Sequence, residues 1–142
     1  HDVIGLDWEL VHDEACRWEH VMSEVVERRL VELLGGPTES PYGNPIPGLD
    51  ELGHTADELV MRPAAPLSES LPTEGRARIR VQRISEELQK DGALMGALRR
   101  VGATPGADVK AWRVDQGIAI GSAGEITELS VDSAAHVFVS AG

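Results

Sequence analysis

The chain holds a single cysteine, Cys16, among its 142 residues, so no disulfide can close within it. A lone cysteine fits a reducing compartment, and a cytoplasmic location is expected. No run approaches the roughly 20 apolar residues needed to cross a bilayer, and no secretory segment opens the sequence. Aromatic residues are scarce at 4%, which removes the stacking platform that single-stranded nucleic acid needs. A positive excess is missing too: 13 Lys and Arg face 24 Asp and Glu, for a formal charge of −11. Long-range attraction to DNA or to an anionic membrane is therefore not expected of this chain by itself. The chain also lacks an initiator Met, running from His1-Asp2-Val3 into Ile4-Gly5-Leu6. It reads as a processed or expressed fragment.

What is present is ordinary globular material, 42% hydrophobic and 26% charged. The length suits one compact domain or two very small ones. The charge divides the chain. Residues 1–54 carry 12 acids against 3 arginines, whereas residues 73–142 carry 9 acids and 9 bases. Two units with different jobs are expected, joined by a flexible tether over residues 55–72 that contains Pro63, Pro66 and Pro72.

In the first unit, Trp8, Val11, Ala15, Trp18 and Met22 recur every three or four residues, which predicts a helix from Trp8 to about Met22 with Asp7 as its cap. Ser23 starts a second helix carrying Val26, Leu30, Leu33 and Leu34, with Glu24 and Arg28 spaced to pair. Gly35-Gly36-Pro37 ends it. Two such helices expose apolar faces that need cover from a further helix or a second subunit. The segment Ser40-Pro41-Tyr42-Gly43-Asn44-Pro45-Ile46-Pro47-Gly48 is stiffened by three prolines, and its Tyr42 and Ile46 are expected to pack against the helices.

The second unit opens with alternation, Arg76, Arg78 and Arg80 on one face and Ala77, Ile79 and Val81 on the other, which predicts a half-buried strand to Ile84. A short helix capped by Asp91 follows, then strands at 109–114, 118–120, 125–129 and 137–139. Short strands with frequent glycines in about 70 residues predict a small, strongly bent β-barrel. The fold class is therefore α+β and multidomain: a small helical unit over residues 1–54, the tether, and a small barrel over residues 73–142.

The chemistry concentrates in His12-Asp13-Glu14-Ala15-Cys16-Arg17-Trp18-Glu19-His20. At about 100° per residue on a helix, Cys16 lies near 40°, Glu19 near −20° and His20 near 80° from His12, so four donors share an arc of about 100°. Imidazole, thiolate and carboxylate together suit ferrous iron, manganese, cobalt, nickel or zinc. The spacing is not that of a closed structural zinc site. His12 and His20 stand about 12 Å apart along a helix axis, so they point to two ions, each completed from elsewhere. Two plainer readings stay open: a polar helix face with a small buried thiol, and a Cys16 nucleophile with His20 as its base. The second lacks any recognisable triad partner or oxyanion site, and no enzyme is expected.

The runs "GLDWELVHDEACRWEHVMSEVVERRL" and "SPYGNPIPGLDELG" resemble the iron-dependent repressors of the diphtheria toxin repressor family, and the second unit resembles their SH3-like C-terminal domain in length and order. The resemblance implies a homodimeric, cytoplasmic transcriptional regulator with Fe2+ as corepressor and Mn2+, Co2+, Ni2+ or Zn2+ as substitutes. It implies a primary metal site at Cys16, Glu19 and His20. An ancillary site is implied at His12, Glu86 and Gln89, with Ser40 and Asn44 holding an anion. The family's winged-helix domain, which reads operator DNA, and the long helix after it have no counterpart here, so no DNA-binding residue is expected in this chain. The competing reading is a stand-alone dimerisation or protein-interaction module with vestigial metal ligands.

Overall fold

The computed structural model describes residues 1–53, 62–122 and 124–142. A 3-10 turn over Trp8–Leu10 runs into helix α1, Val11–Trp18. The expected helix from Trp8 to Met22 is thus shorter than its apolar spacing. Asp7 makes no side-chain cap; its carboxylate pairs instead with Arg99 at 3.4 Å. At the other end the amides of Val21 and Met22 both return to the carbonyl of Trp18, making a turn that redirects the chain. Helix α2, Glu24–Leu33, begins as expected, with Ser23 Oγ accepting from the Val26 amide. Arg28 reaches Glu24 at 2.6 Å. Gly35 and Gly36 end it, both with φ near +70°.

Neither α1 nor α2 buries a residue. Val21 is 82% exposed, Val25 72% and Leu33 65%, and Trp18 is also open. Of the apolar stripe read from the sequence, Trp8 is buried, Val11 packs against the core and Met22 is half-buried, whereas Ala15 and Trp18 are exposed. The rest is an uncovered face of the kind that marks an interaction surface.

The second unit is a six-stranded antiparallel sheet in the order β1-β6-β2-β3-β4-β5. Its strands are β1 (Ala65–Pro66), β2 (Ala77–Ile84), β3 (Asp108–Val114), β4 (Gly117–Ser122), β5 (Glu125–Leu129) and β6 (Val137–Ala141). Short helices α3 (Leu67–Ser70), α4 (Glu86–Gln89), α5 (Gly92–Arg100) and α6 (Val131–Ala134) lie between them. The alternation in β2 holds: Ile79, Val81 and Ile84 are buried, whereas Arg78 and Arg80 are exposed. Asp91 caps α5 through the Leu94 amide.

One boundary moves. The end of the segment read as tether belongs to the sheet: β1 pairs with β6 through Ala65 and Val139, and Leu67 and Leu71 are buried. Arg113 donates to the carbonyls of Ser68 and Leu71. Proline content signalled a linker there, but Pro66 is tolerated because β1 is an edge strand that can spare an N–H. Residues 55–61 of that segment, with residue 54 before them, lie outside the described residues.

The helical unit docks on the sheet. Trp8 and Tyr42 belong to the same buried cluster as Val81, Ile84, Met95 and Leu98. Their rings sit 5.0 Å apart at 57°. Burying each ring contributes on the order of 2–3 kcal/mol. Gly43 allows the approach: its φ is +81°, and a Cβ there would lie 2.0 Å from the Gln82 carbonyl oxygen.

Candidate metal centre

His12 sits in the first turn of α1, and its surroundings are built by three other segments. Its backbone N–H donates to the Tyr42 hydroxyl at 3.0 Å, and that hydroxyl donates to the Trp8 carbonyl at 2.6 Å. Its ring Nδ1 lies 2.9 Å from Gln89 Oε1. Gln89 in turn donates through Nε2 to the Ile84 carbonyl at 2.8 Å, and the Ile84 amide donates to the Tyr42 carbonyl at 2.8 Å. The hydrogen bonds close a ring through His12, Gln89, Ile84 and Tyr42. It joins α1, α4, the end of β2 and the proline-rich segment.

The ring of hydrogen bonds favours one tautomer of the neutral His12 imidazole. Gln89 is only 5% exposed, so its amide must satisfy both ends inside the protein. With Nε2 on the Ile84 carbonyl, Oε1 faces His12 and accepts from Nδ1–H. The reverse orientation would set Gln89 Oε1 against a carbonyl oxygen. In the neutral imidazole this leaves the lone pair on Nε2 of His12. It points toward Cys16 Sγ, 3.6 Å away on the next turn of α1.

The other expected donors are placed differently. Glu19 is the C-cap of α1, still helical in its backbone and bonded to the Ala15 carbonyl, and His20 lies in the turn that follows. Both are exposed, and His20 Nε2 meets Glu19 Oε1 at 3.2 Å. Cys16 is exposed and turned toward His12. Glu86 opens α4 and is exposed, while Gln89 is buried on its last turn. Among the described residues, no three His, Cys, Asp or Glu side chains converge as a group able to hold a metal ion. The two pairs that do form are His12 with Cys16 and Glu19 with His20.

Ser40 and Asn44 fasten the proline-rich segment. Ser40 Oγ accepts from the Tyr42 amide at 3.2 Å, and Asn44 Nδ2 donates to the Ile84 carbonyl. The Ile84 carbonyl thus receives both Asn44 and Gln89. A second tie runs from α5, where Arg99 reaches Glu9 at 3.0 Å. Glu9 is held below the usual carboxylate range, first by its own backbone amide and then by Arg99. Tyr42 is shifted upward, chiefly because burial disfavours the phenolate.

Sequence reasoning placed Tyr42 against the helices but did not see that its hydroxyl holds the His12 backbone. The available signal was a tyrosine set between Pro41 and Gly43, a place where a rigid turn presents one aromatic. It also expected three exposed arginines on β2. Arg78 and Arg80 are both paired with Asp108, and Arg76 lies 4.2 Å over the Trp112 ring. That face is not a free cationic stripe.

Residues 1–48 match the family model for the metal-binding and dimerisation domain of iron-dependent repressors. The iron-dependent repressor IdeR of Mycobacterium tuberculosis is 49% identical over 108 residues, covering 76% of this chain and 47% of that protein. The diphtheria toxin repressor of Corynebacterium glutamicum is 45% identical over 139 residues, covering 95% of this chain and 58% of that protein. Among solved structures, a manganese-dependent transcriptional repressor in complex with manganese superimposes with a TM-score of 0.71 at 25% identity, over 98% of this chain and 62% of that one. The chain spans about half the length of the curated relatives it matches. Residues 1–48 carry the metal-binding and dimerisation domain of the iron-dependent repressors, and along 95% of its length the chain is similar to the diphtheria toxin repressor.

Proposed function

We propose that this chain is the effector-binding and dimerisation portion of an iron-dependent transcriptional repressor, cytoplasmic and regulatory rather than catalytic. Operator DNA is contacted by a winged-helix domain outside these residues. The observation that carries the reading is the joint placement of His12 and Cys16 with the uncovered face of α1 and α2, inside a segment that matches a metal-binding and dimerisation domain.

The donor types suit such an ion, and metal binding would have to draw together donors that do not converge among the described residues. Imidazole, thiol and carboxylate side chains stand along one helix and its C-terminal turn, solvent can reach them, and they suit Fe2+ with Mn2+, Co2+, Ni2+ or Zn2+ as substitutes. Cys16, Glu19 and His20 would hold one ion, and His12, Glu86 and Gln89 a second, with Ser40 and Asn44 near an anion beside it. A bound divalent ion supplies positive charge and a fixed ligand geometry, and the chain does the rest. His12 and Gln89 come from different units and meet only when Trp8 and Tyr42 are docked. Ligation that draws on both units therefore favours the docked arrangement by linkage. The exposed residues Trp18, Val21, Val25 and Leu33 favour pairing with a second copy, since a two-fold interface covers the same patch on both.

The test is a ferrous iron titration under argon of the chain and of its Cys16→Ala and His20→Ala variants. Weak binding that falls further in both variants supports the reading. Unchanged binding in both would support the stand-alone module with vestigial ligands.

A further inference from the structure

We propose that His136 is a positioning residue of the junction between the two units: it holds Ser85, and through Ser85 the one-turn helix α4, so that Gln89 is presented to His12. His136 and Ser85 belong to the second unit and are not among the donors assigned above. The effect on His12 stands by itself, whereas any effect on a metal ion rests on the function proposed above.

Helix α4 cannot place itself. Its four residues make a single turn, and a helix that short has no stability of its own. Yet Leu88 and Gln89 on it are both buried, and Gln89 Oε1 meets His12 Nδ1 at 2.9 Å across the junction. The Ser85 carbonyl accepts from the Leu88 and Gln89 amides, so the orientation of Ser85 sets where the Gln89 side chain emerges.

Ser85 is the N-cap of α4, and it does not behave as the other caps do. The side chains of Ser23, Asp91 and Ser130 each accept from a backbone amide in the first turn of the helix they precede. Ser85 has the same extended backbone as Ser23 and Ser130, but its side chain makes no cap bond. Its Oγ lies 2.8 Å from His136 Nδ1 instead, and its amide donates to the His136 carbonyl at 3.0 Å. A favourable helix cap is given up for a bond to one histidine.

His136 can act as an anchor because its own backbone is fixed on both sides. Its amide donates to the Ser133 carbonyl at the end of α6. The next residue, Val137, is fully buried and pairs with Ile84 in the β2–β6 register. Ile84 in turn carries the carbonyl that orients the Gln89 amide. The stretch from Ile84 to Gln89 is thus held at its start by Val137, at Ser85 by His136, and at its end by Gln89 folding back on Ile84. Of these three ties, only the one to His136 runs through a side chain that can be changed without touching the sheet or Gln89 itself.

Nitrogen-15 spectra of the histidine rings of the folded chain, taken at about pH 8 where an ordinary imidazole is neutral, test the role through His12. The parent should hold the His12 proton at Nδ1. His136→Ala frees Ser85 Oγ to cap α4, and the Nδ1-to-Nε2 proton ratio of His12 should fall about fivefold, the scale of one hydrogen bond misplaced. Ser85→Ala should give the same fall, and the double variant should add nothing to it. His136→Asn should restore the parent ratio, because the asparagine amide stands near the place of Nδ1 and can donate or accept there. His136→Gln, whose amide stands near the place of Nε2, should not restore it. Manganese chloride titration carries the metal arm: binding that depends on His12 should weaken about tenfold in His136→Ala and recover in His136→Asn, as for other orienting partners. A parent that binds no manganese through His12 would contradict the proposed function, and the His12 ratio would still decide the positioning role. Variants that melt at a lower temperature while folded His12 keeps the parent ratio would overturn the proposal, since His136 would then be a structural residue only. Equal effects of His136→Asn and His136→Gln would overturn it too.

Discussion

Replacing Tyr42 with phenylalanine removes one oxygen atom from the junction between the two units, and its cost can be worked out group by group. The ring stays, so the contact with Trp8 and the buried apolar area are nearly unchanged. The hydroxyl serves two backbone groups, the Trp8 carbonyl at 2.6 Å and the His12 amide at 3.0 Å. The Trp8 carbonyl keeps a second partner, the Val11 amide, whereas the His12 amide loses the partner it has here. An unsatisfied polar group away from water costs about 1–3 kcal/mol, so Tyr42→Phe should cost about 2 kcal/mol. At this chain length that lowers the melting temperature by about 4–8 °C. Urea denaturation followed by circular dichroism measures it. A loss below about 0.5 kcal/mol would mean that the hydroxyl is dispensable and that the hydrogen-bonded ring around His12 does not hold the units together.

The same residue gives a pH prediction. Burial raises its pKa above 10.0, so the folded state holds its proton more tightly than the unfolded one. The associated stability is complete below pH 10 and is lost as pH rises through the folded value; Tyr42→Phe should flatten that alkaline limb in a stability profile. Gly43→Ala should cost at least about 2 kcal/mol in denaturant titration, because φ is +81° and the new Cβ meets the Gln82 carbonyl. Leu98→Ala, at a fully buried position of α5, should cost about 2–5 kcal/mol by the same measurement. Arg99→Ala should cost less than about 1 kcal/mol, since its pairs with Asp7 and Glu9 are solvent-exposed; a larger loss would show that charge rather than the Trp8–Tyr42 contact secures the junction.

The sheet was largely legible from residue order. Alternation in Arg76–Ile84 marks β2, and Asp91 marks the start of α5, because both signals act within a few residues. The small helices α4 and α6 are one turn each and leave little periodicity to read. The segment Ala65–Leu71 looked like linker since its prolines dominate local statistics, while its place on the sheet depends on contacts with Val139 and Arg113, far away in sequence. At the site, helical geometry correctly put His12 and Cys16 on one side. His20, placed on the same arc by the spacing, lies in the turn that follows α1. No local pattern announces that turn, because Glu19 and His20 are both tolerated in helices. The role of Gln89 toward His12 crosses 77 positions and could not be read from spacing.

The central claim is that divalent metal held by the donors of α1 strengthens association through the open face of α1 and α2. Sedimentation equilibrium of the chain under argon, with and without ferrous iron, addresses it most directly. The account predicts a dimer whose dissociation constant falls when iron is added, and a Cys16→Ala, His20→Ala double variant in which iron has no effect. An iron-independent dissociation constant, or an iron effect that survives the double substitution, would contradict it.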